Sequence, residues 1–291
     1  DLHLSIRRQR QMCIRDSIYS IESGNFKLDG GAMFGVVPKS IWEKTNPPND
    51  KNLIEMSARL LLIESDHQLI LIDTGLGNKQ SEKFFNYYYL SGDHNIDLSL
   101  KKHGFTKKDI TDVFLTHLHF DHCGGAIEKA DDGSLIPTFE NASYWISKDH
   151  LYWAKNANDR EKASFLKENI EPIEKSGKLN LIDTPKNNRY FSSTLSFEIV
   201  FVDGHTNKQM LPLIEFKNKK ILFAADLIPT VGHLPLPYLM SYDIRPLVSL
   251  NEKKVILKEC YDKEYFIFFE HDPNNELISL KNTDKGFRLD N

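Results

Sequence analysis

Residues 116–125 read Thr-His-Leu-His-Phe-Asp-His-Cys-Gly-Gly, which places His117, His119, Asp121 and His122 within six positions. Imidazoles and carboxylates are the donors that zinc and its first-row neighbours take, and this set suits one ion or two adjacent ones. The spacing also says how the donors are aimed. Val113-Phe114-Leu115 is apolar and β-prone, so it reads as a buried strand. His117 and His119 stand two apart, so on an extended strand end both project the same way. Asp121 and His122 follow the strand, where the chain can curl and present them from another side. Gly124-Gly125 marks the turn. The alternative is a polar loop of solvated histidines; four metal-capable side chains at this spacing favour the metal.

Three later positions carry the same kind of signal, each after an apolar run: Gly204-His205-Thr206, Asp226 closing residues 221–225, and His271 closing residues 266–270. Together with the 116–125 run they resemble the His-x-His-x-Asp-His signature and the later ligands of the metallo-β-lactamase superfamily, in order, across residues 30–272. The resemblance implies an α/β fold of four layers, an αββα sandwich with two sheets inside and helices outside. It implies one zinc site at His117, His119 and His205 and a second at Asp121, His122 and His271, with Asp226 bridging both. Two Zn2+ are the expected cofactors; Mn, Fe or Co remain open as substitutes. A hydroxide held between two such ions is the expected nucleophile at neutral pH. Asp121 and Asp226 are thus catalytic as well as ligating, Asp121 by orienting the nucleophile or passing a proton to the leaving group. Asp73, in Asp73-Thr74-Gly75, matches an early turn of the family whose carboxylate supports a ligand without binding metal.

The elements that must position these groups are legible in outline. Residues 18–22 and 32–37 read as strands of a hairpin turned at Asp29-Gly30-Gly31, and residues 57–64 and 68–72 as a second hairpin. Helices are expected over 81–90, 96–103, 148–154, 159–175 and 247–260, and strands over 143–147, 179–182, 196–202, 211–216 and 220–225. The alternating charge of 159–175 marks a solvated face. Residues 265–269 read as the penultimate strand. Phe34 and Trp42 either cover a substrate pocket or pack in the core. His67, His94 and His103 lie outside every motif and read as surface histidines. Cys123 reads as a small buried residue at the turn.

Composition narrows the function further. A chain of 291 residues, 40% hydrophobic and 11% aromatic, is long enough for a large globular domain. A net charge of −4 gives no electrostatic footprint for nucleic acid. No apolar run approaches the roughly 20 residues that span a bilayer, so no membrane partner is expected. Three scattered cysteines make no disulfide framework, which points to a reducing compartment and a cytoplasmic location. Residues 1–17 differ from the rest: they hold four of the nine arginines, Arg7, Arg8, Arg10 and Arg15, and no lysine. This segment reads as a non-native or disordered stretch, with a single metallo-β-lactamase-like domain over 18–291, which leaves open a genuine upstream segment, export signal included. A homodimer remains open.

The stretch after Asp226, residues 227–240, is long and mostly apolar, suited to wall a pocket for an acyl chain or aromatic ring. With residues 30–42 it resembles the quorum-quenching lactonase and methyl parathion hydrolase-like branch. Lactonases of that branch carry a substrate-contacting tyrosine three residues after the bridging Asp. Pro229 stands there in this chain, and His233 and Tyr238 either substitute for it or pack. The expected reaction opens the ester bond of a lactone, N-acyl homoserine lactone-like, with an apolar substituent. A glyoxalase-II-like thioester hydrolase is the alternative, on a thin basic tail of Lys281, Lys285 and Arg288; an organophosphate triester hydrolase is another. Outside hydrolysis stands a mono-iron persulfide dioxygenase, which keeps the histidines, whereas di-iron reductases place Glu where His119 stands.

Overall fold

Leu60, Leu61, Leu62 and Ile63 are all buried, and they alternate between two cores, Leu61 and Ile63 in one and Leu60 and Leu62 in the other. A strand covered on both faces has no position left for a polar residue, which explains the unbroken apolar run. In the computed structural model, which describes residues 17–65, 67–92 and 95–290, this strand is β2 (Leu53–Glu64). The other strands, in chain order, are β1 (Ser17–Asp29), β3 (Leu69–Ile72), β4 (Asp112–Phe114), β5 (Ile127–Lys129), β6 (Leu135–Pro137), β7 (Ser143–Ser147), β8 (Leu179–Ile182), β9 (Arg189–Ser192), β10 (Phe197–Val202), β11 (Gln209–Phe216), β12 (Lys219–Phe223), β13 (Phe266–Phe268), β14 (Leu277–Thr283) and β15 (Gly286–Asp290). They form a six-stranded sheet in the order β1-β2-β3-β4-β7-β8 and a seven-stranded sheet in the order β15-β14-β13-β12-β11-β10-β9; β5 and β6 pair separately.

The two large sheets face each other across one core, where Leu61, Ile63, Ile70, Ile72 and Phe114 meet Phe197, Ile199, Phe201, Leu213, Phe223 and Phe268. The opposite face of the first sheet, with Leu60, Leu71, Val113 and Tyr144, packs on Leu100, Leu151, Ile170 and Ile173 from helices Ile96–Lys102, Lys148–Lys155 and Lys167–Lys175. Parallel neighbours require a crossover: helix Ile96–Lys102 lies between β3 and β4, and helices Lys148–Lys155 and Lys167–Lys175 lie between β7 and β8. On the second sheet, β12 and β13 run parallel, and the helix Pro246–Asp262 between them buries Ile256, Leu257 and Cys260. This is the four-layer αββα sandwich that the resemblance implied.

Several local expectations are corrected. Residues 32–37 are not a strand: Asp29 caps a helical turn, Gly30–Phe34, by accepting from the Ala32 amide at 2.8 Å, and β1 pairs with β2 instead. Gly30 is needed there because a Cβ would lie 2.3 Å from the Trp42 ring. The helix expected over 81–90 is regular only at Glu82–Phe85, and that over 159–175 only at Lys167–Lys175. The 265–269 strand is followed by two more, β14 and β15, so it is third from the end. Phe34 and Trp42 are both fully buried and stacked at 5.3 Å, so they pack in the core. The expectations for His94 and for the segment 1–17 lie outside the described residues, except that Ser17 begins β1 opposite Glu64. Among the described residues, no helix is long and apolar enough to cross a membrane.

Ligands of open α/β sheets collect outside the carboxyl ends of strands, and that edge is where the donors lie. β4 leads into His117, β10 into His205, β12 into Asp226 and β13 into His271. Backbone bonds tie the two sheets together at this edge: Ser57 N donates to His271 O (3.1 Å), Arg59 N to Glu270 O (3.1 Å) and Met210 N to Thr116 O (2.9 Å).

Candidate metal centre

Seven donors from four strand ends meet in two adjoining groups. His117, His119, His205 and Asp226 bring one atom each within 4.8 Å of one another, and so do Asp121, His122 and His271. All seven side chains are buried. His117 Nε2 and His205 Nε2 each lie 3.1 Å from His119 Nδ1, and His271 Nε2 lies 3.1 Å from His122 Nε2. Four donors placed tetrahedrally about a zinc at its usual Zn–N distance stand about 3.3 Å apart along each edge.

Asp226 joins the groups. Its Oδ2 lies 3.1 Å from His205 Nε2, and its Oδ1 lies 3.1 Å from His271 Nε2 and 3.3 Å from His122 Nε2. Although Oδ1 is buried, it has no hydrogen-bond partner among the described residues. Burial pushes the carboxyl up, yet His122, His205 and His271 together hold it well below the usual carboxylate range, so it is charged. Burial, with His122 and His119 beside it, holds His117 well below the ordinary imidazole range, so it is a neutral donor.

What aims the rings is the other nitrogen of each. His117 Nδ1 meets Thr116 Oγ1 (3.0 Å), whose hydroxyl donates to Asp73 Oδ2 (2.6 Å). His119 Nε2 meets Glu161 Oε1 (3.2 Å), and His205 Nδ1 meets Asp243 Oδ1 (3.1 Å). His122 Nδ1 lies 2.9 Å from Glu270 Oε2 and 3.1 Å from Asp73 Oδ2, and His271 Nδ1 donates to Ser57 O (2.8 Å). An oxygen acceptor outside fixes the tautomer and leaves a lone pair directed inward, which is how ligating imidazoles are held. The donor set therefore fits divalent cations: His117, His119 and His205 would hold one, Asp121, His122 and His271 offer an adjoining place, and Asp226 lies between them.

A family model described as the metallo-beta-lactamase superfamily matches residues 58–271, from β2 to the last of these histidines. The chain belongs to this superfamily. It is 30% identical over 273 residues to a Bacillus sp. protein called N-acyl homoserine lactonase, covering 89% of this chain and 94% of that one. A probable metal-dependent hydrolase from Staphylococcus aureus superposes with a TM-score of 0.84 at 29% identity, over 96% of this chain and 99% of that one. AidC, a dizinc quorum-quenching lactonase solved with a product, superposes with a TM-score of 0.75 at 27% identity, over 94% of this chain and 93% of that one. As a superfamily member with these relatives, the protein is a metal-dependent hydrolase.

The two further candidates differ from the seven. His233 is buried, stacks on Phe34 at 4.3 Å, and has both ring nitrogens engaged, Nδ1 with Thr230 Oγ1 and Nε2 with Met33 O, both at 2.8 Å. Burial pushes it down to about 3, so at neutral pH it is an uncharged packing residue with no nitrogen to offer a substrate. Tyr238 is half-buried, edge-on to Phe34, and its hydroxyl makes no hydrogen bond to the described residues. Cys123 is buried, with Sγ against Leu118 O at 3.3 Å.

Of the outer carboxylates, sequence reading found Asp73 and missed Glu161, Asp243 and Glu270. Glu270 ends the run that delivers His271, yet nothing in the run marks its role. Glu161 lies in the stretch read as a solvated face, but the chain turns there and buries it between His119, Thr206 and Trp153. Those partners outweigh the cost of burial and push it down to about 2. Asp243 carried no local signal at all. His150, also missed, accepts from Leu118 N (2.9 Å) and donates to Asn207 O (2.6 Å), linking the two loops that carry His119 and His205. Glu161→Gln is expected to weaken metal affinity or activity roughly 10–100-fold, since a neutral amide holds the His119 ring less firmly. Titration with zinc against a competing chelator checks this; an unchanged affinity and rate would show that Glu161 serves only its own burial.

Proposed function

We propose that the protein is a dinuclear zinc lactonase that opens N-acyl homoserine lactone-like rings, within a single domain over residues 18–291. One observation carries the reading: Asp226 joins two donor groups, and beside them Asp121 adjoins an aromatic cluster. Phe120, next to Asp121 in the chain, lies 4.7 Å from the Tyr88 ring and 5.3 Å from Phe84, and all three are half-buried. Burial and the charge of Asp121 push the Tyr88 phenol up to about 12, so it is a neutral hydroxyl on an apolar surface. Such a surface suits an acyl chain and offers nothing to a charged cosubstrate. The lactonase relatives support the same choice of substrate.

Two zinc ions at this centre would lower the pKa of water and polarise the lactone carbonyl. The chain's own groups do the rest. Hydrolysis forms one bond, from water oxygen to the carbonyl carbon, and breaks the ring C–O bond. The leaving alkoxide must gain a proton. Asp121 is placed to carry it: its Oδ2 lies 3.7 Å from His271 Nε2 and 3.9 Å from His122 Nε2, at the border of the second group. It takes the proton at a carboxylate oxygen and returns it to the alkoxide. Pro229 leaves no hydroxyl three residues after Asp226; Tyr238, packed against the same buried cluster as Tyr88 and Phe120, extends the surface for the acyl chain.

The thioesterase alternative gains no support from its basic tail. β14 starts beside Phe268 and runs away from the donor edge, so the hairpin tip at Lys285 lies about 20 Å along the strand from it. The decisive assay offers the zinc-loaded protein a lactone, a thioester, a phosphotriester and a β-lactam. N-acyl homoserine lactones should show the highest kcat/KM, with about two zinc ions per chain by elemental analysis. A thioester or phosphotriester turned over tenfold faster would overturn the assignment.

A further inference from the structure

Among the described residues, Lys253 is the one lysine in the set of large side chains that are completely buried. It sits on the helix Pro246–Asp262, and its Nζ lies 2.9 Å from His233 O, 3.0 Å from Pro235 O and 2.7 Å from Tyr238 O. An ammonium has three N–H donors, so all three are spent on carbonyls of a single loop. Burial pushes the group down to about 7, and the charge of Asp243 opposes that push.

The loop is an excursion that leaves and returns at the same imidazole. It begins after Asp226, which faces His205 Nε2 at 3.1 Å, and ends at Asp243, which faces His205 Nδ1 at 3.1 Å. Its ends are tied independently of Lys253: Val231 N donates to Asp272 Oδ2 (2.8 Å), Ser241 N to Ala32 O (2.8 Å) and Ile244 N to His205 O (3.2 Å). The middle is not paired in a sheet and holds Pro235 and Pro237, which lack amide donors. On its other side His233 and Tyr238 pack on Phe34.

We propose that Lys253 is a positioning residue for substrate selection: its ammonium gathers three carbonyls and so holds the Tyr238 side of the loop in the shape that receives the substrate's apolar portion. This rests on the lactonase reading for the identity of that substrate, but not for the loop's dependence on Lys253. Without the ammonium, three buried carbonyls lose their donors, which is costly enough to loosen the loop. The metal donors should be spared, since Asp226 and Asp243 are anchored by their own neighbours.

Lys253→Met tests the idea in the metal-loaded protein by two readouts. Amide hydrogen exchange over residues 231–241 should speed up at least about tenfold while β11 is unchanged. KM for a long-acyl lactone should rise about tenfold, with kcat within about threefold and KM for an unsubstituted lactone nearly constant. Zinc content should equal that of the parent protein. Unchanged exchange over 231–241 would overturn the proposal, as would equal losses on both lactones. If the parent protein opens no lactone, the substrate reading fails while the exchange measurement still decides the role of Lys253. Lys253→Gln keeps two N–H donors; should Lys253→Met not fold, this variant must show intermediate exchange, and parent-like exchange would sink the proposal.

Discussion

Asp226→Asn is expected to bind one zinc ion in place of two and to lose about 10³-fold or more in turnover, the scale that metal-assisted chemistry contributes. The physical reason is charge. Each oxygen of Asp226 faces a different group of imidazoles, and among the described residues no other carboxylate lies within 4 Å of imidazoles of both groups. An amide keeps the shape but offers one weak oxygen and a repelling NH2, so it bridges two cations poorly. Folding should survive, because Asp226 Oδ1 makes no hydrogen bond to the described residues and the strand before it is held by Phe223 and its neighbours. Asp73→Asn is the control. Asp73 accepts from Thr116 N (2.7 Å) and Thr116 Oγ1 (2.6 Å) and faces His122 Nδ1, so it aims rings without belonging to the seven donors. Its loss should cost roughly 10–100-fold in affinity or rate. Elemental analysis with hydrolysis rates separates the two. Two ions and near-parent rates in Asp226→Asn would refute the bridging role.

Gly125→Ala is expected to destabilise the fold by about 3 kcal/mol, with a fall in melting temperature of roughly 5–10 °C. A Cβ on Gly125 would lie 2.1 Å from Thr74 O and 3.1 Å from Thr74 C, and backbone cannot swing aside as a side chain can. Gly124 is placed likewise against Leu76 O. The two turns are clamped by Gly125 N donating to Gly75 O (2.9 Å), and by Thr74 N and Thr74 Oγ1 donating to His122 O (2.7 and 2.9 Å). Any shift of Thr74 therefore moves His122. Gly104→Ala is the comparison: nothing lies within 4 Å of its Cβ, and only the φ of +84° resists, at about 1–2 kcal/mol. Thermal unfolding of both proteins checks the claim; it fails if Gly125→Ala melts no lower than Gly104→Ala.

Gly124-Gly125 marked a turn, as glycine pairs do, but the close approach of residues 74–76 that forbids a Cβ comes from a segment some fifty positions earlier. Residues 32–37 erred in the opposite way. Their apolar content suggested a strand, while Asp29 was free to cap and Trp42 to cover Gly30, and those two contacts made a helical turn. Residues 159–175 alternate in charge as a solvated helix would, yet Glu161 finds three buried partners once the chain turns.

By itself the sequence determined what depends on short-range pattern. Apolar runs, unbroken where both faces of a strand are covered, set the strands of both sheets, and a polar donor soon after a run placed His117, His205, Asp226 and His271 at strand ends. Those ends share one edge because β10, β12 and β13 run the same way in their sheet, and the facing sheet brings the end of β4 against them. Tertiary structure alone decided what depends on meetings between distant segments. It engaged both nitrogens of His233 in packing, set Glu161, Asp243 and Glu270 behind the imidazoles, and put the Lys253 ammonium under three carbonyls. Each of those roles is set by a partner far off in the chain or by burial that only the closed fold creates, and neither leaves a periodic trace in the residues nearby.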